Sequence, residues 1–253
     1  MDIAGNAAVI TGGASGLGRA TAQMLAEQGA KVAILDVEEE AGHRAATAVG
    51  GIFLRTDVTE ENGVHDALEA AERAHGPARI LVNCAGIAPS ARIVARDGKP
   101  HSYELFRKGV AVNLLGTFLV MSQFSARLLK ADKIGEERGV IINTASIAAF
   151  DGQIGQVAYA ASKAGVAGLT LPAARELAQH AIRCVCLAPG LFLTPMMMAL
   201  PEATRETLGT QVPHPSRLGR PEEYAQLVGA VISNPMLNGE VIRLDGAIRM
   251  PPR

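Results

Sequence analysis

Three features of the 253-residue sequence predict an α/β fold, a single doubly wound parallel sheet flanked by helices. Short apolar runs alternate with longer stretches of helical spacing along nearly the whole chain, as they do where strands are buried on both faces. The first apolar run is followed by a glycine-rich turn and then a helix. The second ends on an acid, Asp36, in the place where such sheets hold the ribose of a dinucleotide. One domain over residues 1–253 is expected, since this length is ordinary for a large α/β unit and no repeat, low-complexity stretch or linker divides it.

Ala7-Ala8-Val9-Ile10 is the first strand. Thr11-Gly12-Gly13-Ala14-Ser15-Gly16-Leu17-Gly18 then turns the chain into a helix over Arg19 to Gln28, stopped by Gly29. Glycines there let the backbone approach a pyrophosphate, and the helix offers that anion its unpaired amides and positive dipole end. The spacing is Gly-x-x-x-Gly-x-Gly, a variant of the Gly-x-Gly-x-x-Gly fingerprint. By itself it reads equally well as an ordinary tight turn. Lys31 to Leu35 is the second strand, and Asp36 after it can accept from both ribose hydroxyls of NAD while repelling the extra phosphate of NADP. Asp36 also reads as a helix cap for Glu38 to Val49, and both roles can hold.

Ile52 to Arg55 is a third strand, followed by Asp57-Val58 and a helix from about Glu60 to His75; Ile80-Leu81-Val82 is a fourth, ending in Asn83-Cys84-Ala85-Gly86. Between Gly86 and Val110 the composition turns polar, and Asp97-Gly98 marks a small hairpin or surface excursion before the next helix. That helix is long, from about Tyr103 to Lys130, includes Asn113, and passes into the charged stretch Ala131 to Arg138. Val140 to Asn143 is a fifth strand, Arg183 to Ala188 a sixth broken by Pro189-Gly190, and Val241 to Gly246 a closing strand after a helix started by Pro221. The greasy segment Leu191 to Met198 lies just past a strand's carboxyl end. It reads either as core, Met being a common gap filler, or as a substrate lid, which is favoured because three consecutive Met residues cannot all face one core.

The chemistry is placed between Ser146 and Lys163. Tyr159 opens a helix that ends near His180, so Tyr159 and Lys163 are i and i+4 neighbours on one face. A phenol with a pKa of about 10 is a poor base at neutral pH, and making it a good one takes about 4 kcal/mol. One cation about 4 Å away at an effective dielectric near 20 supplies that, with the sign that favours phenolate. Ser146, on the turn after the fifth strand, can hydrogen-bond a substrate oxygen opposite the tyrosine. An isolated Tyr-x-x-x-Lys is more often a surface tyrosine and a solvated lysine, and the weight comes from the rest of the chain. Gln153 and Gln156 read equally as pocket-lining residues and as solvated loop amides.

Composition narrows the function further. The formal net charge of -1, with no basic or acidic block, leaves no electrostatic footprint for nucleic acid or an anionic membrane. No apolar run is read as a membrane span, and no targeting segment precedes the first strand. Cys84, Cys184 and Cys186 are odd in number and lie in apolar runs, which suits reduced thiols in a reducing compartment. No metal site is expected, and a soluble cytoplasmic protein acting on a small molecule is.

Thr11-Gly-x-x-x-Gly16-x-Gly18, Asp57, Asn83-Cys84-Ala85-Gly86, Asn113, Ser146, Tyr159-x-x-x-Lys163 and Pro189-Gly190, in this order, resemble the short-chain dehydrogenase/reductase family over nearly the whole chain. Cys84 stands where many members have a second Asn. The resemblance implies a Rossmann-type fold with seven strands, a homotetramer, and reversible NAD-linked oxidation of a secondary alcohol. It implies Tyr159 as acid/base, Lys163 as the group that lowers its pKa and holds the nicotinamide ribose, Ser146 as the residue polarising the substrate oxygen, and Asn113 as the holder of a water joining Lys163 to solvent. The NAD-binding set it implies is Gly12, Ser15, Gly16, Leu17, Gly18, Asp36, Asp57, Val58, Asn83, Ala85, Gly86, Tyr159, Lys163, Pro189, Gly190, Phe192 and Thr194. Substrate contacts are expected from Ser146, Gln153, Gln156, Tyr159 and Leu191.

Within that family, Gly139 to Ser146, Gly152 to Gln156, Ala188 to Phe192, Gln211 to Gly219 and Asn238 to Met250 resemble the type-2 3-hydroxyacyl-CoA dehydrogenases, also described as hydroxysteroid dehydrogenase type 10. Those enzymes also carry extra residues around Arg96 to Lys99 and Lys130 to Arg138. The expected reaction interconverts 3-hydroxyacyl-CoA and 3-ketoacyl-CoA, with Arg92, Arg96, Lys99 and Arg205 as candidates for the CoA phosphates. The rivals are a steroid or other bulky-alcohol dehydrogenase and, from another class, a catalytically silent NAD-binding sensor or scaffold.

Overall fold

A computed structural model describes residues 1–252. Its seven-stranded sheet has the order β3-β2-β1-β4-β5-β6-β7, and every strand pairing is parallel. The strands are β1 (Ala7–Thr11), β2 (Lys31–Asp36), β3 (Ile52–Arg55), β4 (Ala78–Asn83), β5 (Gly139–Thr144), β6 (Ile182–Pro189) and β7 (Val241–Leu244). Parallel strands need crossovers, and these are α1 (Gly16–Glu27), α2 (Glu39–Ala48), α3 (Glu61–His75), α4 (Tyr103–Val110), α5 (Thr117–Leu128), α6 (Val157–Ala178), α7 (Pro195–Met198), α8 (Glu202–Thr210) and α9 (Pro221–Ser233).

The central strands are buried along their whole length because helices cover both faces. Side chains alternate between the two faces, as a pleated strand requires. Ile80, Val82, Val140, Ile142, Val185 and Leu187 join one cluster with Leu25 of α1 and Tyr224 and Val228 of α9. Leu81, Ile141 and Cys184 join the other with Leu68 of α3, Phe124 of α5 and Ala174 of α6. Each fully buried Val, Leu, Ile or Phe among them contributes about 1.5–3 kcal/mol.

Strand order reverses between β1 and β4, so the helices that follow these two strands leave on opposite faces and a crevice opens at their carboxyl ends. The glycine turn, Asn83 and the Ser146 stretch all lie at that end of the sheet. The expected excursion before α4 is a hairpin, with Val94 bridging Pro100 and Gly98 at φ +82°.

Several elements depart from expectation. The long helix expected from Tyr103 is interrupted by a π-helical turn over Ala111–Gly116, which contains Asn113. The continuous helical run Tyr103–Leu128 is long and apolar enough to cross a membrane by length and composition, which corrects the expectation that no segment is. Here it packs against the sheet and α3, with Val120, Met121 and Phe124 in the core. The helices α7 and α8 were not anticipated, because short amphipathic turns leave little periodicity to read.

At the far end of β5 and β6, Arg183 is buried in the sheet with Glu137. Its Nε donates to Glu137 Oε2 at 2.7 Å, and its remaining donors reach the carbonyls of Val231, Ile232 and Leu237. Burial opposes the charged carboxylate, yet Arg183 and the Met1 amino group hold Glu137 below its ordinary range. Arg183→Ala is expected to destabilise the fold by about 3 kcal/mol, measured by denaturant unfolding, because the buried carboxylate keeps only the Met1 amino group as ionic partner and three carbonyls lose their donor. Since the folded carboxyl titrates below its unfolded value, this contribution is complete above the ordinary carboxylate range. It is lost as pH falls through the folded value, so the variant's deficit should shrink in acid.

Candidate functional site

The crevice is bounded first by the glycine turn. Gly12 has φ +65°, and a Cβ there would sit 2.6 Å from the Ala85 amide nitrogen. A Cβ on Gly18 would sit 2.3 Å from the Gly12 carbonyl oxygen. Glycine at both positions lets the turn lie directly against the end of β4 and the start of α1. Ser15 caps α1 without a side-chain hydrogen bond, and no acid occupies the first turn. The opening amides at Gly16, Leu17 and Gly18 therefore suit an anion. Thr194 and Pro195 lie about 3.4 Å from where a Gly16 Cβ would be, so the segment after β6 closes over the turn.

Asp36 closes β2. Its Oδ2 accepts from the Ala14 amide at 3.0 Å and its Oδ1 from the Glu38 amide at 3.1 Å. The residue that caps α2 is Glu38, with no side-chain bond, so Asp36 braces the glycine turn and is not the cap proper. A carboxylate has about four acceptor positions, and two amides leave capacity for the hydroxyls of a ribose. Asp57 is exposed and braces its own loop, its Oδ1 accepting from the Thr59 amide and hydroxyl. Val58 is buried and would meet any Cβ on Gly116 at 2.6 Å. Asn83 is buried, its Nδ2 donating to Asn143 Oδ1 and its Oδ1 accepting from Thr11 Oγ1. Thr11 Oγ1 accepts from the Ala85 amide, which fixes the Ala85-Gly86 turn over β1.

Ser146, Tyr159 and Lys163 come together at the ends of β5 and β6. Ser146 Oγ accepts from the Ala148 amide, capping a 3₁₀ turn over Ile147–Ala149. Tyr159 lies in the first turn of α6. Lys163 is buried, its Nζ 5.9 Å from the Tyr159 ring centroid and donating to the Thr144 carbonyl at 2.7 Å. Burial pushes the Lys163 ammonium down to about 8, with the Cys186 and Cys84 thiols opposing slightly. Burial also raises the Tyr159 phenol, and the neighbouring Ser146 hydroxyl offsets part of that rise. The ammonium sits beside the ring and is anchored on Thr144.

Asn113 is wholly buried. Its Oδ1 accepts from the Ile87 amide, and its Nδ2 donates to the Ile87 carbonyl and Ser162 Oγ. Ser162 Oγ donates in turn to the Tyr159 carbonyl. The side chain therefore ties the loop after β4 to the first turn of α6, and its Oδ1 flanks Gly86 together with Lys163 Nζ, 3.1 and 3.4 Å from where a Gly86 Cβ would be. Ile87, Thr144, Ser162 and Tyr224 join this network without any motif in the sequence to mark them.

The mouth of the crevice is less open than the sequence suggests. Gln153 and Gln156 bond each other, and Gln153 Nε2 donates to the Pro251 carbonyl. Asp151 pairs with Arg243, which also holds Asp245 and lies over the Phe150 ring. The loop after Ser146 is thus strapped to the C-terminal segment. The segment after β6 is divided in its burial. Pro189 ends β6, and the Gly190 amide donates to the Leu244 carbonyl. Leu191 packs against Ile147, Val212 and Ile248, and Phe192 is buried against Gly219. Leu193 and Met198 are exposed. Phe192 is therefore core and the residues past it form the lid-like part; the side chain of Met196 lies outside the described residues. Of the four candidate cations, Lys99 pairs with Asp97 and Arg205 donates to the Met198 and Leu200 carbonyls. Among the described residues Arg92 and Arg96 are exposed without an ion-pair partner. All three thiols are free, and burial raises Cys84, Cys184 and Cys186, the last two to about 12 and about 11. Three metal-type side chains on α3, His65, Asp66 and Glu69, bring ligand atoms within 4.8 Å of one another.

Residues 6–205 match the family model of the short chain dehydrogenases. The chain is 51% identical over 254 residues to 3-hydroxyacyl-CoA dehydrogenase type-2 of Homo sapiens, covering 99% of this chain and 97% of that one. It is 50% identical over 249 residues to the enzyme of the same name from Drosophila melanogaster, covering 96% and 97%. A crystal structure of 3-hydroxyacyl-CoA dehydrogenase type-2 from Mycobacterium avium matches with a TM-score of 0.94 and 42% identity, over 98% of each chain.

An ammonium held at about 8 in a buried site costs the folded protein about 3 kcal/mol at neutral pH. Because the folded value is depressed, the cost is fully present below about 8 and disappears as pH rises toward the ordinary lysine value. Lys163→Met is expected to raise the thermal midpoint at pH 7 and to lose most of this advantage by pH 10. A lower midpoint at pH 7 would show that the bond to Thr144 outweighs the desolvation.

Proposed function

The chain belongs to the short-chain dehydrogenases, oxidoreductases served by a nicotinamide cofactor, and from that premise we propose that it interconverts 3-hydroxyacyl-CoA and 3-ketoacyl-CoA with NAD. The observation that carries the reading is the meeting of Ser146, Tyr159 and buried Lys163 beside the glycine turn, in a chain half identical end to end to enzymes of that name. The relatives do not favour the bulky-alcohol and silent-sensor alternatives.

The glycine turn, the opening amides of α1 and Asp36 suit a pyrophosphate and an adenosine ribose, while Asn83, Ala85, Gly86, Pro189, Gly190 and Thr194 border the space beyond them. A nicotinamide ring supplies a hydride acceptor or donor and, when oxidised, a positive charge. Ser146 donates its hydroxyl proton to the substrate oxygen and holds it against Tyr159. In oxidation the Tyr159 phenolate takes the proton from the alcohol oxygen; in reduction the phenol returns it. Lys163 binds the cofactor's ribose and keeps positive charge beside the phenol. Asn113 keeps the first turn of α6 in place through Ser162. The apolar residues around Leu191, Leu193 and Met198 cover the acyl chain, and Arg92 and Arg96 meet the CoA phosphates outside. Three unpaired thiols suit a reducing, cytoplasmic setting. Phe118 of α5 and Leu171 of α6 are about half exposed and offer apolar surface to a partner copy, and the homotetramer itself follows from the family resemblance.

If Tyr159 is the acid/base, Tyr159→Phe lowers kcat by about 10²-fold or more while NADH affinity, read by fluorescence titration, stays nearly intact. Retained turnover would sink the assignment.

Cofactor choice rests on Asp36, whose carboxylate faces a 2′-phosphate with like charge. NAD should be strongly preferred over NADP, and Asp36→Ala should narrow the ratio of the two kcat/KM values. Equal use of both cofactors by the unaltered protein would limit Asp36 to bracing the turn.

For the substrate, acetoacetyl-CoA should be reduced far better than acetoacetate, and added salt should raise KM more than it lowers kcat, because the phosphate contacts are exposed. Kinetics of the ester, the free acid and a steroid ketone at two salt concentrations decide this. Equal kcat/KM for ester and acid would remove CoA from the account.

A further inference from the structure

The carbonyl that receives Lys163 belongs to Thr144, the last residue of β5, and the side chain of Thr144 is itself held. Its Oγ1 donates to the Asn83 carbonyl at 2.6 Å and lies 2.7 Å from the Tyr224 phenol oxygen. A threonine hydroxyl has one proton. With that proton given to Asn83, the Tyr224 phenol must be the donor to Thr144. The Cys84 sulfur lies beside this pair, 3.8 Å from the Tyr224 oxygen and 3.6 Å from Thr144 Oγ1, so the ordered chain runs from Tyr224 through Thr144 to Asn83. Tyr224 is 0% exposed. It comes from α9, on the face of the sheet opposite α6, and its ring lies in the cluster with Ile10, Val82 and Ile142. A phenol removed from water in this way must find a polar partner. Here the partner is the residue on which the ammonium rests.

We infer that Tyr224 is a positioning residue for the reaction: by fixing Thr144 from the opposite face of the sheet, it holds the carbonyl that aims the Lys163 ammonium into the crevice. The inference rests on the proposed participation of Lys163 in catalysis. It gives the buried hydroxyl pair a task beyond filling the core, since the Thr144 side chain and the Thr144 carbonyl belong to one residue and move together. The phenol stays neutral, burial raising it well above its ordinary value, so it acts as a fixed donor and not as a proton carrier.

Tyr224→Phe and Thr144→Val each remove one hydroxyl at nearly constant volume and test the chain from its two sides. Each is expected to lower kcat for ketoacyl-CoA reduction about tenfold with little change in the substrate KM, and to displace the pH profile of kcat. Thr144→Ser, which keeps the hydroxyl, should restore both. The double variant should be no slower than the slower single one, because both changes break the same chain. A Tyr224→Phe enzyme with a lower thermal midpoint but the parent kcat and pH profile would overturn the inference, as would effects that multiply in the double variant. If Tyr224→Phe does not fold, Thr144→Val against Thr144→Ser decides. Lys163→Ala separates the premise from the inference. Retained turnover in Lys163→Ala would remove the premise, whereas its loss beside an unchanged Tyr224→Phe would remove the positioning role alone.

Discussion

A buried ammonium resting on one backbone carbonyl is the constraint on which this molecule turns. Lys163 has little access to water, and its Nζ donates to Thr144 at the carboxyl end of β5. Such a cation is tolerated only where its other donors have somewhere to go, and the open side is the crevice beside Gly86, where a Cβ would come within 3.4 Å of Nζ. The strand end, the helix that carries Lys163 and the loop after β4 must all be placed together. Asn113, Ser162 and Ile87 supply that placement from one side. Thr144 and Tyr224 supply it from the other.

The same economy of space governs the glycine turn. Gly12 lies against Ala85 and Gly18 against Gly12, so β1, the end of β4 and α1 approach without intervening side chains. Asp36 then reaches the Ala14 amide and braces the turn from β2. The acid expected to contact a ribose is thus part of the scaffold that shapes the anion site. A substitution there would disturb the turn as well as any ribose contact.

Around the crevice, stability and access are set by different parts of the chain. The Arg183 and Glu137 pair sits at the opposite end of β6 from Pro189, satisfied by carbonyls of α9 and the loop after it. The mouth is held by Arg243, Asp151 and the amides of Gln153 and Gln156, which bind the Ser146 loop to the C-terminal segment. Leu193 and Met198 remain exposed past the buried Phe192. The apolar surface that can meet an acyl chain is therefore narrower than the greasy run Leu191 to Met198.

The sequence by itself determined the fold class, the strand segments, the glycine turn and the i, i+4 relation of Tyr159 and Lys163, because each depends on local period or on residues a few positions apart. The hairpin at Asp97-Gly98 was legible for the same reason. Tertiary structure alone decided that Asn113 sits in a π-helical turn, that Phe192 is core and that Gln153 and Gln156 bond the tail. It also decided how far Tyr159 and Lys163 are desolvated, because burial depends on what packs around a group, and those neighbours come from distant parts of the chain. Tyr224 is 80 residues from Thr144. No pattern in α9 distinguishes its phenol from any other apolar position, and its partner is set by how a helix on one face crosses the end of a strand in the middle of the sheet.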